Sequence, residues 1–396
     1  MKPWKTDGIL RRDLAVAALA FWLGAVAPGW RDTARAESPT PAARHFSAEG
    51  LARVGDYIRN EIASAKIPGA ILLIQQHGKP VYFESFGVRD VATQLPMTAD
   101  TIFRLYSMSK PITSVAAMML VEDGKLKLDD PVSKYIPAFA GMKVGVEKPG
   151  NDGKPALALE PLNRPVMIED LLRHTSGLTY GFYGDDAVRK LYAQADLFNA
   201  DLTNEELVDR ITKLPLSEQP GTLWDYGHST DVLGRVIEVI SGKTLFQFEK
   251  ERLLDPLAPR KAESGGAGML GTVSDYARFT QMLLNGGTFE GRRYLTPETI
   301  ALMASDHIGP ETKIARDSLY YPGATSGFGL GFAVRTSVPS NTQWPLGEYR
   351  WDGVAGTFFF IDPADDMFAI FMAQTPSQRG RIQLALKTLI YQAMGR

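Results

Sequence analysis

The chain has 396 residues, with 43 Lys and Arg against 45 Asp and Glu and a formal net charge of −2. That length admits one large catalytic unit or two lobes. A composition of 44% hydrophobic and 22% charged residues excludes collagen-like, disordered and multi-span membrane classes, and the near-balance of charge speaks against a general nucleic-acid binder. The chain has no cysteine, so disulfides, Cys-ligated zinc, iron–sulfur clusters, a cysteine nucleophile and a lipoprotein anchor are all excluded. The histidines at 45, 77, 174, 228 and 307 form no H-E-x-x-H or H-x-H pair, and no metal site is expected from them.

Lys2, Lys5, Arg11 and Arg12 precede an apolar run from Leu14 to Pro28, and Ala34-Arg35-Ala36 follows as an A-x-A cleavage signal. The run is too short for a comfortable membrane span. Residues 1–36 therefore read as a secretory signal peptide, and Arg11-Arg12 suggests the twin-arginine route. A single N-terminal anchor is the alternative. Residues 37–46 are rich in Pro, Ala and Ser and read as a tether. The mature protein is expected in the periplasm or secreted, with no stable membrane insertion.

Ser47 opens a helix that places Leu51, Val54, Ile58 and Ile62 on one face, and Pro68-Gly69 ends it. Ala70–Gln75 and Pro80–Phe86 are apolar, β-branched runs joined by His77-Gly78-Lys79, which predicts a hairpin. The middle of the chain changes character. Ser107–Glu122, Ile168–Arg173, Asn204–Leu214, Ser229–Ser241 and Ser274–Leu284 carry helical periodicity with few strands between them. Strands are predicted again at Phe328–Val334, Gly356–Ile361 and Met367–Met372, and a helix through Ile382, Leu384, Leu386, Leu389 and Ile390 closes the chain. This order predicts an α+β fold. An antiparallel sheet is built from both ends of the mature chain (47–106 and 270–396) and flanked by helices. A mostly helical central lobe (107–269) is set beside it.

Three short stretches could carry chemistry. In Ser107-Met108-Ser109-Lys110 the serine and lysine are i, i+3 at a helix start, so their side chains share a face. A serine hydroxyl needs a base, and lysine serves only when desolvation or neighbouring positive charge lowers its pKa. One S-x-x-K is expected by chance in a chain of this length, and this is the only one present. Pro111 is expected to disturb the first helical turn. In Trp224-Asp225-Tyr226-Gly227-His228, Tyr226 sits on a loop after the Pro220-Gly221 turn. It is either a packing tyrosine or a phenol acidified by a nearby ammonium. His228 is either a supporting polar group or a surface or helix-capping one, and His174 reads as structural. In Trp351-Asp352-Gly353-Val354 the glycine permits close backbone approach, as a bulge would or as an oxyanion hole needs.

Together these stretches resemble the serine β-lactamase and penicillin-binding-protein superfamily. More narrowly, they resemble class C β-lactamase-like serine hydrolases, closest to family VIII carboxylesterases. Leu128–Pro137, Leu171–Leu178, Asp231–Val236 and Asp275–Phe279 extend the resemblance over nearly all of the mature chain. It implies a β-lactamase/transpeptidase-like fold with Ser107 as the acylated nucleophile, Lys110 and Tyr226 as its coupled base, and the backbone N–H groups of Ser107 and Val354 as oxyanion hole. Trp351, Asp352, Gly353 and His228 would contact the substrate. No cofactor or metal is implied, the partner is a small ester or amide, and oligomeric state is left open.

Trp351 stands where β-lactamases carry the lysine of K-T-G, and His228 stands where they carry the asparagine of Y-x-N. Asp352 would add a negative charge near a substrate carboxylate, costing about 1 kcal/mol or more if partly desolvated. The expectation is an exported ester hydrolase. The alternatives are a β-lactamase or D-alanyl-D-alanine carboxypeptidase-like enzyme of the same fold, and a non-catalytic cell-wall binding module. The short passage from Pro256 to Ser264, where relatives have a longer excursion, implies a wider cleft.

Overall fold

Ser47 accepts a hydrogen bond from the Gly50 N–H and starts the first helix, α1 (Ala48–Ala63). The computed structural model describes residues 44–150, 153–255, 264–309, 312–314, 325–338, 342 and 344–395. The expected signal peptide, most of the tether and the short passage 256–263 lie outside them. The end of the tether does not dangle. Gln76 donates to the Arg44 carbonyl, and Phe46 packs on a hydrophobic core.

The predicted hairpin forms from β1 (Gly69–Gln76) and β2 (Lys79–Asp90) around His77-Gly78, and a short β3 (Leu95–Pro96) extends it. The central region supplies α2 (Ser109–Glu122), a hairpin of β4 (Lys143–Pro149) and β5 (Pro155–Pro161), α3 (Ile168–Leu172), α4 (Ala187–Gln194), α5 (Asn204–Ile211) and α6 (Ser229–Ser241). The last third supplies α7 (Val273–Leu284), five strands β6 (Ser326–Phe328), β7 (Ala333–Arg335), β8 (Tyr349–Asp352), β9 (Phe358–Asp362) and β10 (Met367–Met372), and the final helix α8 (Arg379–Ala393). The main sheet is antiparallel in the order β6-β7-β8-β9-β10-β1-β2-β3, so both ends of the chain meet at the β10–β1 pair, with Ile71 opposite Met372.

Beyond the unexpected α4 and β8, the structure departs from the sequence expectation in three instructive ways. The run Phe328–Val334 is two strands, because Gly329 and Gly331 turn the chain between them; Gly331 has φ +101°. The β4–β5 hairpin was not expected, and its alternation is weak because much of it is exposed. Pro111 does not disturb α2. It lies in the first turn, where a backbone N–H has no intrahelical acceptor to lose.

The sheet separates two cores by strand alternation. Ile71, Leu73, Phe359 and Ile361 face the larger one, which continues through α2, α6 and α7. Ala70, Leu72, Ile74, Phe358 and Phe360 face the smaller one, closed by Val54 and Ile58 of α1 and by Ile382, Leu386 and Ile390 of α8. The larger core draws on residues from both expected lobes, and 43–396 forms one unit. Ile390 is fully buried whereas Leu384 on the same helix is 58% exposed. Ile390→Ala should cost about 2–5 kcal/mol and Leu384→Ala under about 0.5 kcal/mol in urea unfolding. Equal losses would contradict this placement of α8.

Candidate active site

Arg104 and Phe103 pair with Leu270 and Gly271, and the Leu105 N–H donates to the Met269 carbonyl at 2.9 Å. The chain then makes a 3₁₀ turn over Tyr106–Met108 before α2 begins. Tyr106 sits at φ +49°, left-handed backbone that costs a non-glycine residue about 1–3 kcal/mol. The turn is pinned from two sides. Tyr276 donates to the Met108 carbonyl at 3.1 Å, and the Ser109 hydroxyl accepts from the Met269 N–H at 3.1 Å. Ser107 emerges from this turn nearly buried, at the end of the helix that carries Lys110.

Lys110 Nζ has three acceptors, one for each ammonium hydrogen: the Gly266 carbonyl at 2.6 Å, the Tyr180 hydroxyl at 3.2 Å and Ser107 Oγ at 3.3 Å. It also stands 4.7 Å from the centroid of the Tyr226 ring. Burial pushes the amine down to about 8, while the charges of Asp231 and Asp352 pull the other way. Near neutral pH a usable fraction is therefore uncharged. The neutral amine keeps two hydrogens and gains a lone pair. The Gly266 carbonyl can only accept, so the lone pair faces one of the two hydroxyls, Ser107 or Tyr180.

Gly266 is itself held by Asp231. That buried carboxylate accepts from the Gly266 N–H at 3.0 Å, Ser264 Oγ at 2.8 Å and His228 Nδ1 at 3.0 Å. Burial would raise its pKa, but the His228 hydrogen bond, with help from His228 and Lys110 charge and from Ser264, brings it down to about 2. An ionised carboxylate only accepts, so His228 Nδ1 is the donor in this hydrogen bond. On the other side of the same loop, Thr113 bridges the Gly265 carbonyl and Glu249, each at 3.0 Å. Burial pushes the Glu249 carboxyl up to about 8.

Tyr226 is delivered by a loop packed on the stretch His174-Thr175-Ser176-Gly177. Ser176 and Ser229 share a hydrogen bond of 2.8 Å, and a Cβ on Gly227 would lie 2.4 Å from the Leu178 carbonyl oxygen. The rings of His174 and Trp351 flank Tyr226 at 4.7 and 5.3 Å. His174 is buried, and desolvation, reinforced by Lys110, holds its imidazole well below the usual value; it sits here as a neutral packing group. The third stretch approaches through its backbone. A Cβ on Gly353 would lie 2.4 Å from the Leu105 carbonyl oxygen, so only glycine lets the turn that carries Val354 approach the segment before Ser107 this closely.

Ser107, Lys110, Tyr226, Trp351 and Gly353 thus come together, with Val354 following Gly353. His228 lies behind Tyr180, the ring centroids 4.6 Å apart. Asp352 departs from expectation. Strand alternation turns it to the α8 face, where Arg379 clasps it in a bidentate pair and Gln383 donates to it at 2.7 Å. Its charge reaches Lys110 only as a field, and it is not a substrate-facing side chain. The sequence reading missed Tyr180, two residues beyond the quoted Leu171–Leu178 stretch. The aromatic run Tyr180-Gly181-Phe182-Tyr183 was the signal that could have found it.

A family model described as Beta-lactamase matches residues 54–392. Protein Rv1367c of Mycobacterium tuberculosis is 32% identical over 80% of this chain and 88% of its own length. Esterase EstB of Burkholderia gladioli is 27% identical over 90% of this chain and 99% of its own. The solved structure of EstCE1, described as a hydrolase with promiscuous acyltransferase activity, superposes with a TM-score of 0.71 at 25% identity, covering 87% of this chain and 99% of that one. The chain belongs to the β-lactamase family and is a serine hydrolase of that fold.

Removing the Asp231 charge should make the Lys110 ammonium easier to deprotonate. Asp231→Asn is expected to lower the Lys110 titration midpoint below its wild-type value of about 8, read by NMR on ¹³C-labelled lysine. An unchanged or raised midpoint would contradict this coupling.

Proposed function

We propose that the protein is an exported carboxylesterase working through an acyl-Ser107 intermediate. The observation that carries this reading is the desolvated Lys110 amine 3.3 Å from the Ser107 hydroxyl. Lys110, coupled with Tyr226, takes the Ser107 proton as Oγ attacks the ester carbonyl. The N–H groups of Ser107 and Val354 hold the tetrahedral oxyanion. Tyr226 returns a proton to the leaving alkoxide, and water activated by the same pair releases the acid. Lys110 Nζ stands 4.7 Å from the centroid of the Tyr226 ring, which puts amine and phenol side by side in this scheme. The reaction uses no metal or organic cofactor.

A neutral substrate is favoured over an anionic one. Trp351 offers an indole ring to the site in place of a cation, and the Arg379 guanidinium is spent on Asp352 on the other face of the sheet. The carboxylate of a β-lactam or a D-alanyl peptide would meet the Trp351 indole, while Arg350 on the same strand is held by Glu348 and Ser326. Export rests on residues 1–36, whose basic, apolar and A-x-A segments suit a signal peptide. Among the described residues no helix is long and apolar enough to cross a membrane.

The test is a panel of p-nitrophenyl butyrate, nitrocefin and a D-Ala-D-Ala peptide, run on wild type and Ser107→Ala. The wild type should turn over the ester far faster than the other two, and Ser107→Ala should lose roughly a thousandfold or more. Near-wild-type turnover in Ser107→Ala would overturn the assignment. Faster turnover of nitrocefin than of the ester would overturn the substrate class.

A further inference from the structure

Two large apolar side chains stand in solvent beside the site. Phe182 is 50% exposed and Phe198 is 64% exposed. A single exposed phenylalanine needs no explanation, but these two are contiguous with each other and with the reactive amine. Their centroids are 5.6 Å apart, and each contacts the Tyr180 ring, Phe182 stacked at 4.9 Å and Phe198 tilted at 5.6 Å. The Tyr180 hydroxyl is in turn 3.2 Å from Lys110 Nζ. An aromatic surface therefore runs from solvent to the group that faces Ser107.

We propose that Phe182 and Phe198 are the wall that binds the apolar group of a neutral ester. They select esters bearing an aromatic ring or a hydrocarbon chain of several carbons over those whose parts are all small. The inference rests on Ser107 as the nucleophile. Ser107 Oγ and the Tyr180 hydroxyl share Lys110 Nζ as partner, so an ester with its carbonyl at Ser107 Oγ has Tyr180, and the two phenylalanines packed on it, beside one of its arms. An apolar arm there covers the exposed rings of Phe182 and Phe198, with the buried Tyr180 ring behind them.

The wall is preformed. A Cβ on Gly181 would lie 2.2 Å from the Ala193 backbone nitrogen, so the loop carrying Phe182 is seated directly on the end of α4. The turn carrying Phe198 is tied by Asn199 Nδ2 to Asp196 at 3.0 Å and by Arg210 to the Asp196 carbonyl at 2.9 Å. A surface already ordered loses little entropy when it binds. Charges around it are committed to one another. Arg189 is held by Asp186 and Asp225, and His228 Nδ1 by Asp231. The wall thus suits an uncharged arm, either the acyl chain or the alcohol.

The experiment measures kcat/KM for wild type, Phe182→Ala/Phe198→Ala, Phe198→Leu and Ser107→Ala on two ester series. One series varies the acyl chain from acetate to hexanoate with p-nitrophenol constant. The other varies the alcohol from ethyl to benzyl with acetate constant. In one series the double variant should lose about tenfold or more on the larger member while changing the smaller less than about twofold. Phe198→Leu should retain most of the wild-type preference, and thermal melting should match wild type because both rings are exposed. The series that responds identifies the arm. Equal losses across both series, or none in either, would overturn the wall while Ser107→Ala remains inactive. Hydrolysis surviving in Ser107→Ala would instead overturn the site reading on which the wall depends.

Discussion

The structure turns on one desolvated amine. Lys110 is buried at the start of α2 with a carbonyl, a phenol and a serine hydroxyl as its hydrogen-bond acceptors. Burial alone would make such a lysine a liability to folding. Three acceptors for three hydrogens make it tolerable, and the same burial that weakens the ammonium makes the amine available as a base. The surrounding carboxylates limit how far it falls. Without Asp231 and Asp352 the amine would lose its proton more readily still.

The rest of the molecule fixes that geometry. Asp231 and Thr113 grip the two glycines of the 264–266 loop from opposite sides, so the carbonyl that receives Lys110 has little freedom. The strained backbone at Tyr106 is sustained by the short strand pair before it and by Tyr276 behind it. Beneath, the sheet divides the hydrophobic residues of β1, β9 and β10 between two cores. The edge turn bearing Val354 is thereby anchored to the same scaffold as α2. A helix start and a strand end far apart in sequence thereby meet, Gly353 against the Leu105 carbonyl.

Much of this was legible in the sequence because the signals are local. Periodicity located α1, α2, α6 and α8, and two apolar, β-branched runs joined by His77-Gly78-Lys79 located the β1–β2 hairpin, β1 being buried on both faces. Ser107 and Lys110 were legible because i, i+3 spacing on a helix dictates proximity. What was not legible depended on the other side of a contact. Asp352 looked like a substrate-facing charge until strand alternation set it opposite Arg379. Tyr180 carries no spacing relation to Lys110, 70 residues away, and only the fold joins them. The half-exposed β4–β5 hairpin lacks the apolar alternation that would reveal it, and Phe328–Val334 hid a turn because its two glycines sit among apolar neighbours.

The most direct measurement is the rate at which a fluorophosphonate labels Ser107 as a function of pH, followed by intact mass and peptide mapping. The account requires a single adduct on Ser107 whose formation rate rises with pH through about 8, as the amine loses its proton, and collapses in Lys110→Ala. A rate independent of pH between 6 and 10, or an adduct carried by another residue, would contradict it.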